Sequence, residues 1–536
     1  MSLSLVHSRA RCGVRAPEVR VEVFMAGGLP SITLAGLSGS AARESRERLR
    51  AALQASGFTL PSKRITVNLA PAELPKDGAR FDLPMAVGLL AAAGQLPEGA
   101  LRDIECYGEL SLSGALRPFS GALPAAIAAA RAGRAVILPE ENAADAACAQ
   151  GAAVFGARTL AQVVAHLRGE RRLPRQAGGP PASVDGTAMP PIPDLSAVVG
   201  QAQGKRALEI AAAGAHALRL IGPPGCGKTL LARCLPGLLP ALSEEEALEL
   251  AVVRSLAAPL REAGGWPRQR PFRAPMHGAS AVALVGGGGL PRPGELSLAH
   301  HGVLFLDELP EWPRASLEAL REPLESGRVE IARAAAQAEF PARPLLVTAM
   351  NPCPCGWAGD PSGRCACPAE AIARYQARVS GPLLDRIDLH VHLPRVPATQ
   401  LVRRDAIAVA EGSATVRARV QAARARQMAR QGRPNAHLAP GELETHCQAS
   451  PSALALLERA AERLRLSARA THRVLRVART LADLADAGAI EPPQIAEALA
   501  FRSTGVSCET AALPAATLGP SLSGAGMARH GVAGTD

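Results

Sequence analysis

Residues 222–229 have the sequence Gly222-Pro223-Pro224-Gly225-Cys226-Gly227-Lys228-Thr229, which fits the phosphate-loop pattern G-x-x-x-x-G-K-[ST] of nucleotide hydrolases. The apolar run 217–221 predicts a buried strand before the loop, and residues 230–235 predict the first turns of a helix after it. In that setting backbone N–H groups close around phosphates, and the helix N-terminus favours an anion. The stretch therefore predicts ATP binding, with Lys228 reaching the terminal phosphates and the Thr229 hydroxyl ligating Mg²⁺. The alternative, a chance glycine-rich turn, is disfavoured by the flanking strand and helix.

A second motif supplies acidic side chains. Residues 302–309 read Gly302-Val303-Leu304-Phe305-Leu306-Asp307-Glu308-Leu309, an apolar run that ends in two acids. An unbroken apolar run is typical of a parallel strand buried on both faces, and ligands bind at the carboxyl ends of such strands. We expect Asp307 to hold the Mg²⁺ shell and Glu308 to polarise the attacking water. The alternative is a solvated strand end or a helix N-cap, which is common for one acid.

Length and composition restrict the class of protein. The chain has 536 residues, of which 48% are hydrophobic and 20% charged, so we expect two to four domains with a large folded core. The formal net charge of +11 is compatible with a nucleic-acid partner without proving one. No apolar run reaches the roughly 18 residues that a membrane span needs, and the N-terminus lacks the apolar block of a signal peptide. Eleven cysteines, several beside the nucleotide motifs, favour a reducing cytoplasmic interior.

The pattern along the chain predicts several domains. In the first of them we expect strands at Val19–Phe24, Ser31–Leu37 and Arg64–Leu69, and an amphipathic helix at Glu44–Ala55. The predicted segments are an α/β domain at 1–170, a linker at 171–193, a nucleotide-binding domain at 194–397, a helical domain at 398–506 and a disordered tail at 507–536.

Three further stretches resemble one family of ATPases. The strand-like run 345–352, which contains Asn351, resembles the sensor-1 strand of AAA+ ATPases. Residues 380–388, around Arg386, resemble the arginine-finger segment of the magnesium-chelatase-like branch. The segment 279–298, with four glycines at 286–289, resembles the helix-2 insert of that branch. Together with the N-terminal domain, these motifs identify a resemblance to the ComM/YifB family of bacterial magnesium-chelatase-like ATPases over nearly all of residues 1–506.

This resemblance implies a fold and a function. The implied fold is α/β, with an AAA+ P-loop parallel sheet and a helical lid. The implied activity is that of a hexameric, ATP-driven DNA branch-migration helicase that helps integrate DNA during natural transformation. Two alternatives remain open: a chelatase subunit that drives Mg²⁺ insertion into a porphyrin, and a protein-remodelling unfoldase.

The same resemblance assigns roles to single residues. It implies that Asn351 is sensor 1 and that Arg386 reaches the ATP of a neighbouring subunit as an arginine finger. The alternative for Arg386 is an internal salt bridge with Asp385 or Asp388. For sensor 2 we favour Arg473 and keep Arg469 as the alternative, since the two lie four residues apart on one predicted helix face.

The N-terminal domain resembles the proteolytic domain of Lon but lacks its catalytic pair. The stretch Pro75-Lys76-Asp77-Gly78 matches the segment before Lon's nucleophile, where a serine would follow two residues after the glycine. Here Arg80 stands at that position, and Ala125 stands at the position of the partner lysine. A Ser–Lys pair needs a hydroxyl and an amine, so we expect no peptidase activity and a role in binding DNA or organising the ring.

Four cysteines follow the sensor-1 strand as two C-x-C pairs, Cys353 with Cys355 and Cys365 with Cys367. Four thiolates suit a structural Zn²⁺ site, although C-x₂-C is the usual spacing. The alternatives are four reduced cysteines in a loop or a single disulfide.

Two segments are candidates for contact with DNA in the pore of a ring. One is the glycine-rich insert with Arg292. The other is 325–333, which predicts a hairpin bearing Arg328 and Arg333. Arginine contacts to phosphates provide affinity without sequence choice, so binding should be salt-sensitive and sequence-tolerant. For each arginine an ordinary solvated charge is at least as good an interpretation.

Overall fold

A computed structural model describes residues 2–76, 78–178, 191–258, 266–289, 291–333, 336–397, 399 and 411–502. The predicted tail at 507–536 and residues 179–190 of the predicted linker lie outside the described residues. Within the described part of the chain, no helix is long and apolar enough to cross a membrane.

The N-terminal domain is a mixed sheet with helices packed on it. Its strands, in chain order, are β1 (Ser2–Arg9), β2 (Glu18–Ala26), β3 (Ser31–Ala35), β4 (Arg64–Ala70), β5 (Ile104–Cys106), β6 (Glu109–Leu110), β7 (Leu116–Arg117), β8 (Ala135–Pro139) and β9 (Val154–Ala157). Its helices are α1 (Gly39–Ala55), α2 (Asp82–Ala92), α3 (Ala122–Arg131), α4 (Glu140–Ala146) and α5 (Leu160–Leu167). Seven strands form the main sheet in the order β3-β4-β2-β1-β5-β8-β9, with β1–β2 and β2–β4 antiparallel.

The elements predicted in this domain are present with shifted ends. Strand β3 stops two residues before the predicted end because Gly36 has φ +89°, and a Cβ there would lie 2.6 Å from the Leu69 carbonyl oxygen. Helix α1 begins five residues before the predicted start, since the small residues after Ser38 extend the helix without adding to its apolar face. Helix α2 is buried almost all round, because Gly88 lets it approach β1 and β2 closely.

The nucleotide-binding domain is built on a second, fully parallel sheet. The strands of the whole domain, inside and outside this sheet, are β10 (Leu218–Ile221), β11 (Phe272–Arg273), β12 (Gly286–Gly287), β13 (Arg292–Pro293), β14 (Val303–Leu306), β15 (Arg328–Arg333), β16 (Ala336–Pro341), β17 (Leu345–Met350) and β18 (Leu389–His392). Its helices are α6 (Ala202–Gly214), α7 (Lys228–Leu238), α8 (Glu244–Ala257), α9 (Ala281–Val285), α10 (Glu295–Leu298), α11 (Arg314–Ala319), α12 (Arg321–Ser326), α13 (Ala369–Gln376) and α14 (Gly381–Leu384).

The order of the parallel sheet is β11-β14-β17-β10-β18. Strands β10, β14 and β17 are buried at every position, as their unbroken apolar sequences predict for a sheet covered on both faces. Strand β17 lies between β10 and β14. The carboxyl ends of all three strands therefore open onto one edge, where the phosphate loop, the acidic pair and Asn351 follow them.

The predicted lid is helical. Its helices are α15 (Ser413–Gln431), α16 (Leu443–His446), α17 (Pro451–Arg463), α18 (Ala468–Leu484) and α19 (Pro492–Ala500). Helix α15 packs on α6, α7 and α18, and the buried side chains of the lid continue into the core around β10. The lid and one face of the parallel sheet therefore share a single hydrophobic core.

The N-terminal domain is packed directly on the nucleotide-binding domain. Helix α3 lies against α8, and the Gly121 N–H donates to the Ser255 carbonyl oxygen at 2.9 Å. The hairpin β15–β16 contacts the turn at 12–15, where the Val14 N–H donates to the Glu339 carbonyl oxygen at 3.4 Å. Residues 1–502 form one compact unit.

The structure corrects the predicted hairpin at 325–333. Residues 325 and 326 are the last two of α12, and the hairpin pairs 328–333 with 336–341. Gly327, at φ +73°, ends the helix and starts the strand. Left-handed glycines occur both at helix ends and in turns, so the sequence pattern alone does not distinguish the two structures.

Candidate active site

The phosphate loop connects β10 to α7. Gly225 and Gly227 have φ of +75° and +95°, a backbone region that glycine adopts without a steric penalty. Gly227 is the N-cap of α7, so the first N–H groups of that helix face the loop. The loop therefore has the geometry that a phosphate group needs: free N–H groups at a helix N-terminus.

Lys228 is the first residue of α7 and is almost completely buried. Its ammonium donates to the carbonyl oxygens of Gly222 at 2.7 Å and Pro223 at 3.0 Å, and to Asn351 Oδ1 at 3.0 Å. Burial lowers the pKa of Lys228. These contacts join the phosphate loop to the end of β17, and the partners are neutral oxygens that a phosphate can replace.

The acidic pair lies at the end of β14, opposite the loop. The Thr229 hydroxyl donates to Asp307 Oδ2 at 3.0 Å, and the Trp312 indole N–H donates to the Asp307 carbonyl oxygen at 2.8 Å. Glu308 has φ +50°, and its N–H donates to Asp307 Oδ1 at 2.9 Å. A non-glycine residue in this region is uncommon and marks a constrained site. The Glu308 side chain is exposed and, like that of Asp307, faces the cavity beside the phosphate loop.

These residues line one cavity of about 330 Å³, which we call the phosphate cavity. It is lined by Pro224, Gly225, Gly227, Lys228, Thr229, Leu230, Asp307, Glu308, Met350 and Asn351. The structure therefore brings together Lys228, Thr229, Asp307, Glu308 and Asn351.

Two residues at this cavity were missed in the sequence. His277 Nδ1 lies 3.3 Å from Glu308 Oε2. Gln201 has φ +53°, and its Nε2 donates to the carbonyl oxygens of Cys226 at 3.0 Å and Pro394 at 2.7 Å. These bonds connect the phosphate loop to the segment after β18. A single histidine or glutamine in a loop carries no spacing signal, so only the fold identifies these contacts.

Arg386 does not line the phosphate cavity. Its guanidinium forms an ion pair with Glu325 and donates to the carbonyl oxygens of Arg321 at 3.0 Å and Pro382 at 2.8 Å. An internal ion pair exists, as the alternative interpretation expected, but its acid is Glu325 rather than Asp385 or Asp388. Glu325 lies 61 residues earlier in the chain, so the pattern near Arg386 gave no sign of it.

The two sensor-2 candidates lie on α18 and differ in their partners. Arg473 donates from Nη1 to Asp388 Oδ1 at 2.7 Å, whereas Arg469 Nη2 lies 3.5 Å from Glu325 Oε1. Asp388 also accepts from the Ala217 N–H at 3.3 Å, and its Oδ2 lies 3.2 Å from His216 Nδ1. Although burial opposes it, these hydrogen bonds and the charge of Arg473 hold the pKa of Asp388 well below its usual range. Arg473 is thus fixed, while Arg469 is mostly exposed.

A second cavity, of about 600 Å³, collects these arginines, and we call it the arginine cavity. Its charged lining residues are Glu325, Arg343, Arg386, Asp388, Arg433, Arg469, Arg473 and Arg476. Among the described residues, none lines both this cavity and the phosphate cavity. Arg386, Arg469 and Arg473 are therefore brought together with one another and not with the phosphate loop of their own chain.

The four predicted zinc ligands converge. Their Sγ atoms all lie within 4.8 Å of one another. The Cys353 Sγ is 3.3 Å from Cys355 Sγ and 3.8 Å from Cys365 Sγ. Sulfur atoms at the corners of a tetrahedral Zn²⁺ site are about 3.8 Å apart, given Zn–S bonds of about 2.3 Å. The Ala358 N–H donates to Cys353 Sγ at 3.3 Å, as thiolates in such sites accept. The donor set and its spacing fit Zn²⁺.

This cysteine loop touches the phosphate loop. A Cβ on Gly356, which has φ +85°, would lie 2.7 Å from Pro224 Cδ and 3.7 Å from Asn351 Cγ. The guanidinium groups of Arg364 and Arg395 lie over the Trp357 ring, 5.2 Å and 5.9 Å from its centroid. The loop is therefore packed against the nucleotide site rather than extended from it.

A second group of metal-type side chains, Glu249, His300 and His301, forms hydrogen bonds instead. The Arg343 N–H donates to His300 Nδ1 at 3.1 Å, so the ring proton of neutral His300 is on Nε2, which lies 3.1 Å from Glu249 Oε2. His301 Nε2 lies 2.7 Å from the same oxygen. A nitrogen that carries a proton cannot ligate a metal, so we assign this cluster to hydrogen bonding.

The candidate DNA-binding arginines have different surroundings. Arg292 is exposed at the end of the two-stranded arm β12–β13. Arg328 Nε lies 2.9 Å from Glu330 Oε1, and Nη1 lies 3.5 Å from Glu339 Oε1. The side chain of Arg333 lies outside the described residues. Arg328 is thus already neutralised by acids, and Arg292 is the better candidate.

The Lon-like positions hold no nucleophile. Arg80 is buried, donates to the Ser120 carbonyl oxygen at 2.8 Å and lies 4.7 Å over the Phe119 ring. Ala125 is fully buried in α3. The two positions are therefore occupied by a buried, hydrogen-bonded arginine and a buried alanine.

Three family descriptions match this chain. "Magnesium chelatase, subunit ChlI" matches residues 194–401, "Subunit ChlI of Mg-chelatase" matches 21–142, and "Magnesium chelatase, subunit ChlI C-terminal" matches 410–502. Together they cover both domains and the lid.

Similar proteins extend along almost the whole chain. YifB of Escherichia coli, an uncharacterized protein, is 47% identical over 503 residues, which are 94% of this chain and 97% of YifB. The competence protein ComM of Haemophilus influenzae is 46% identical over 94% of this chain and 98% of ComM. The Lon protease of Trichlorobacter lovleyi is 27% identical over 151 residues, which are 27% of this chain and 18% of Lon. On the motifs, the parallel sheet and these similarities, the chain belongs to the ComM/YifB family of magnesium-chelatase-like AAA+ ATPases, with a Lon-like N-terminal domain.

Proposed function

We propose that this chain is an ATP-driven DNA motor that works as a ring of six copies and promotes branch migration during natural transformation. We infer the ring from the separation of the active site into two parts. The phosphate cavity binds the nucleotide, and the arginine cavity holds the cations that complete the active site. A second copy must bring Arg386 to the ATP of the first, because no described residue belongs to both cavities. The name of the relative ComM supports competence as the setting.

The hydrolytic chemistry follows from the phosphate cavity. The loop N–H groups and Lys228 hold the phosphates, and the neutral partners of Lys228 give way when they arrive. Glu308 takes the proton from the attacking water, and Asn351 orients that water or the terminal phosphate. The Arg386 of the next copy then neutralises the charge that develops on the transferred group.

Mg²⁺ fits this site. The Thr229 hydroxyl and Asp307 Oδ2, 3.0 Å apart, are the hard oxygen donors that Mg²⁺ takes together with phosphates and water. Bound there, it would neutralise charge on the nucleotide phosphates. Thr229 and Asp307 already hold each other in place, so the two donors are preorganised.

We propose a structural Zn²⁺ at Cys353, Cys355, Cys365 and Cys367. The four sulfur atoms already lie within 4.8 Å of one another, close enough to share one ion. No disulfide joins the cysteines in the described ranges, and this agrees with a cytoplasmic location. Metal analysis of purified protein should find about one Zn²⁺ per chain, and the variant with Cys353→Ser and Cys355→Ser should lose it. Equal metal content in both proteins would remove the zinc site.

We expect Arg292 of the arm β12–β13 to contact DNA, and we do not expect Arg328 of the hairpin β15–β16 to do so. Arg292 is exposed and lies beside the glycines of the arm, whereas Arg328 is paired with two acids. Contacts of this kind go to phosphates and depend on salt. The variant Arg292→Ala should weaken DNA binding and flatten its salt dependence, and Arg328→Ala should not.

ATP turnover with different partners tests the motor. We expect single-stranded or four-way-junction DNA to raise turnover, and an unfolded protein to leave it unchanged. A gel-shift panel of single-stranded, duplex and junction DNA with non-hydrolysable ATP identifies the preferred structure. If no DNA changes ATP turnover, the DNA motor is wrong.

A second candidate is a chelatase-type motor subunit, which the similarity to magnesium chelatase subunit ChlI favours. Stimulation by a porphyrin with its insertion partners, and not by DNA, would select it. Stimulation by unfolded protein alone would select a remodelling factor instead.

A further inference from the structure

One carboxylate in the arginine cavity serves two arginines. Glu325 lies near the C-terminal end of α12, and its Oε2 accepts from Arg386 Nη2. Its other oxygen, Oε1, lies 3.5 Å from Arg469 Nη2. The two cations come from different parts of the fold, one before β18 and one from the lid. Glu325 is thus the group that bridges the arginine-finger residue to the lid.

A carboxylate and a phosphate offer similar acceptors to an arginine. Both present two or more oxygen atoms to the planar fork of N–H donors, and both carry negative charge. The remaining donors of Arg386 are directed by the carbonyl oxygens of Arg321 and Pro382. One edge of the guanidinium is therefore held by the backbone, and the Glu325 contact is the one that an incoming anion can take over.

The two acids of the arginine cavity differ in how firmly they are held. The Glu325 side chain is 58% exposed although that of Arg386 is only 14% exposed, so water or an anion can reach the pair from the side of the carboxylate. Asp388 is 6% exposed and accepts from the Ala217 N–H while it lies beside His216 and Arg473. A buried acid of this kind cannot lose its cation without a large penalty. Glu325 can release its arginines, and Asp388 cannot.

We propose that Glu325 is a placeholder for the nucleotide phosphates of the neighbouring copy. In the separate chain it holds Arg386 and Arg469 in the arginine cavity. When the next copy presents ATP, the phosphates replace the carboxylate, and both arginines transfer to them. Glu325 is a positioning residue that competes with the nucleotide and so sets how readily the joint site closes. This inference rests on the proposed function, since it needs a site shared between two copies.

The test mixes two inactive full-length variants. Glu308→Gln keeps Arg386 but cannot hydrolyse ATP at its own site, and Arg386→Ala keeps an intact phosphate cavity but supplies no arginine. Where an Arg386→Ala chain faces a Glu308→Gln chain, one complete site forms, so the mixture should hydrolyse ATP although each variant alone does not. The readout is ATP turnover without DNA, as a function of ATP concentration.

The substitution Glu325→Gln is then added to one chain of the mixture at a time. On the Glu308→Gln chain, which supplies the arginines, it should raise turnover at limiting ATP by roughly two- to fivefold, which is the range for losing an exposed ion pair. On the Arg386→Ala chain it should have no effect, because the arginine cavity of that chain lacks Arg386 and therefore completes no active site. The control is Glu458→Gln on α17, an exposed acid with the same change of charge that lines neither cavity, which should have no effect on either chain.

The outcomes separate this inference from the proposed ring. Rescued turnover that falls with Glu325→Gln, or does not respond to it, would show that Glu325 is not a competitor of phosphate, while the shared site stands. An equal response from both chains would also contradict it. A mixture with no turnover at all would remove the shared site, and the placeholder with it.

Discussion

The phosphate cavity and the arginine cavity belong to the same half of the molecule, yet they hold their cations in opposite ways. In the phosphate cavity, Lys228 donates to neutral carbonyl and amide oxygens. In the arginine cavity, Arg386 and Arg473 each form an ion pair with a carboxylate. Neutral partners give way to an arriving phosphate with no charge left behind, whereas a carboxylate must be displaced or must stay. This difference supports the proposal that one cavity receives a nucleotide and the other supplies cations to a nucleotide bound by a second copy.

The largest expected effect, that of Arg386→Ala on ATP turnover, tests whether the two cavities have separate roles. Because Arg386 neutralises charge that develops mainly in the transition state, Arg386→Ala should lower kcat by about 10³-fold or more and should weaken ATP binding far less than Lys228→Ala does. Lys228→Ala should instead abolish ATP binding. ATP titration by a fluorescent analogue, together with steady-state turnover, distinguishes the two variants.

Arg158→Ala is the matched control, since Arg158 is an exposed arginine of the N-terminal domain whose partner is Glu140. It should leave both quantities unchanged. If Arg386→Ala weakened ATP binding as strongly as Lys228→Ala, the two cavities would not be separate in function.

Glu308→Gln sharpens the comparison within the phosphate cavity. The amide keeps the shape of the side chain and removes only its ability to take a proton, so kcat should fall by roughly 10²-fold or more. ATP should still bind, and the ring should remain assembled with ATP in it. Size-exclusion chromatography with ATP measures assembly. Normal hydrolysis by this variant would show that another group activates the water.

The phosphate cavity could be predicted from the sequence almost completely, and the arginine cavity could not. Lys228, Thr229, Asp307 and Glu308 occur in short motifs whose spacing is set by a strand, a turn and a helix. Arg386 could be recognised as a finger, but its partner Glu325 is 61 residues away. Pairings across such distances follow from tertiary packing, which leaves no local pattern.

The same limit applies to the contacts between motifs. Asp388, 85 residues before Arg473, was weighed as a partner of Arg386 and belongs instead to Arg473. The convergence of four cysteines was predicted, since their spacing is local. Their packing on the phosphate loop through Gly356 was not, because it depends on where the fold places two separate loops.

The two lid arginines should differ in stability. Arg473→Ala leaves the buried Asp388 without its cation, so the free energy of unfolding should fall by about 3 kcal/mol. Arg469 is exposed and 3.5 Å from its acid, so Arg469→Ala should change it by less than about 0.5 kcal/mol. Urea unfolding measures both. Equal losses would contradict the view that only Asp388 is firmly paired.

A pair of glycine variants tests the contact between the cysteine loop and the phosphate loop. Gly356 and Gly359 both have positive φ, but only a Cβ on Gly356 would meet Pro224, at 2.7 Å, whereas one on Gly359 meets nothing within 4 Å. Gly356→Ala should therefore weaken ATP binding by roughly tenfold, or about 1.4 kcal/mol. Gly359→Ala carries the same backbone penalty and should leave ATP affinity unchanged. Identical affinities for the two variants would mean that the loops are not coupled.

A further expected effect concerns acid and belongs to the arginine side. Burial and the neighbouring Arg424 and Arg343 lower the pKa of His437, which lines the arginine cavity, to about 4. Burial, helped by Arg219 and Arg502, lowers the pKa of His390 to about 2. The unfolded chain takes up protons at these histidines below pH of about 6.5, while the folded chain does not. Stability is therefore complete above that pH and is lost as the pH falls towards the folded pKa values.

Between pH 7.5 and pH 5.5 each of these two histidines should cost about 1.4 kcal/mol of unfolding free energy. Urea midpoints at the two pH values measure the loss, and His437→Gln should reduce it by about 1.4 kcal/mol, since glutamine does not titrate. The arginine cavity already carries six arginines against two acids, so a further proton is disfavoured there. If His437→Gln kept the full loss at pH 5.5, burial together with Arg424 and Arg343 would not be what holds His437 neutral.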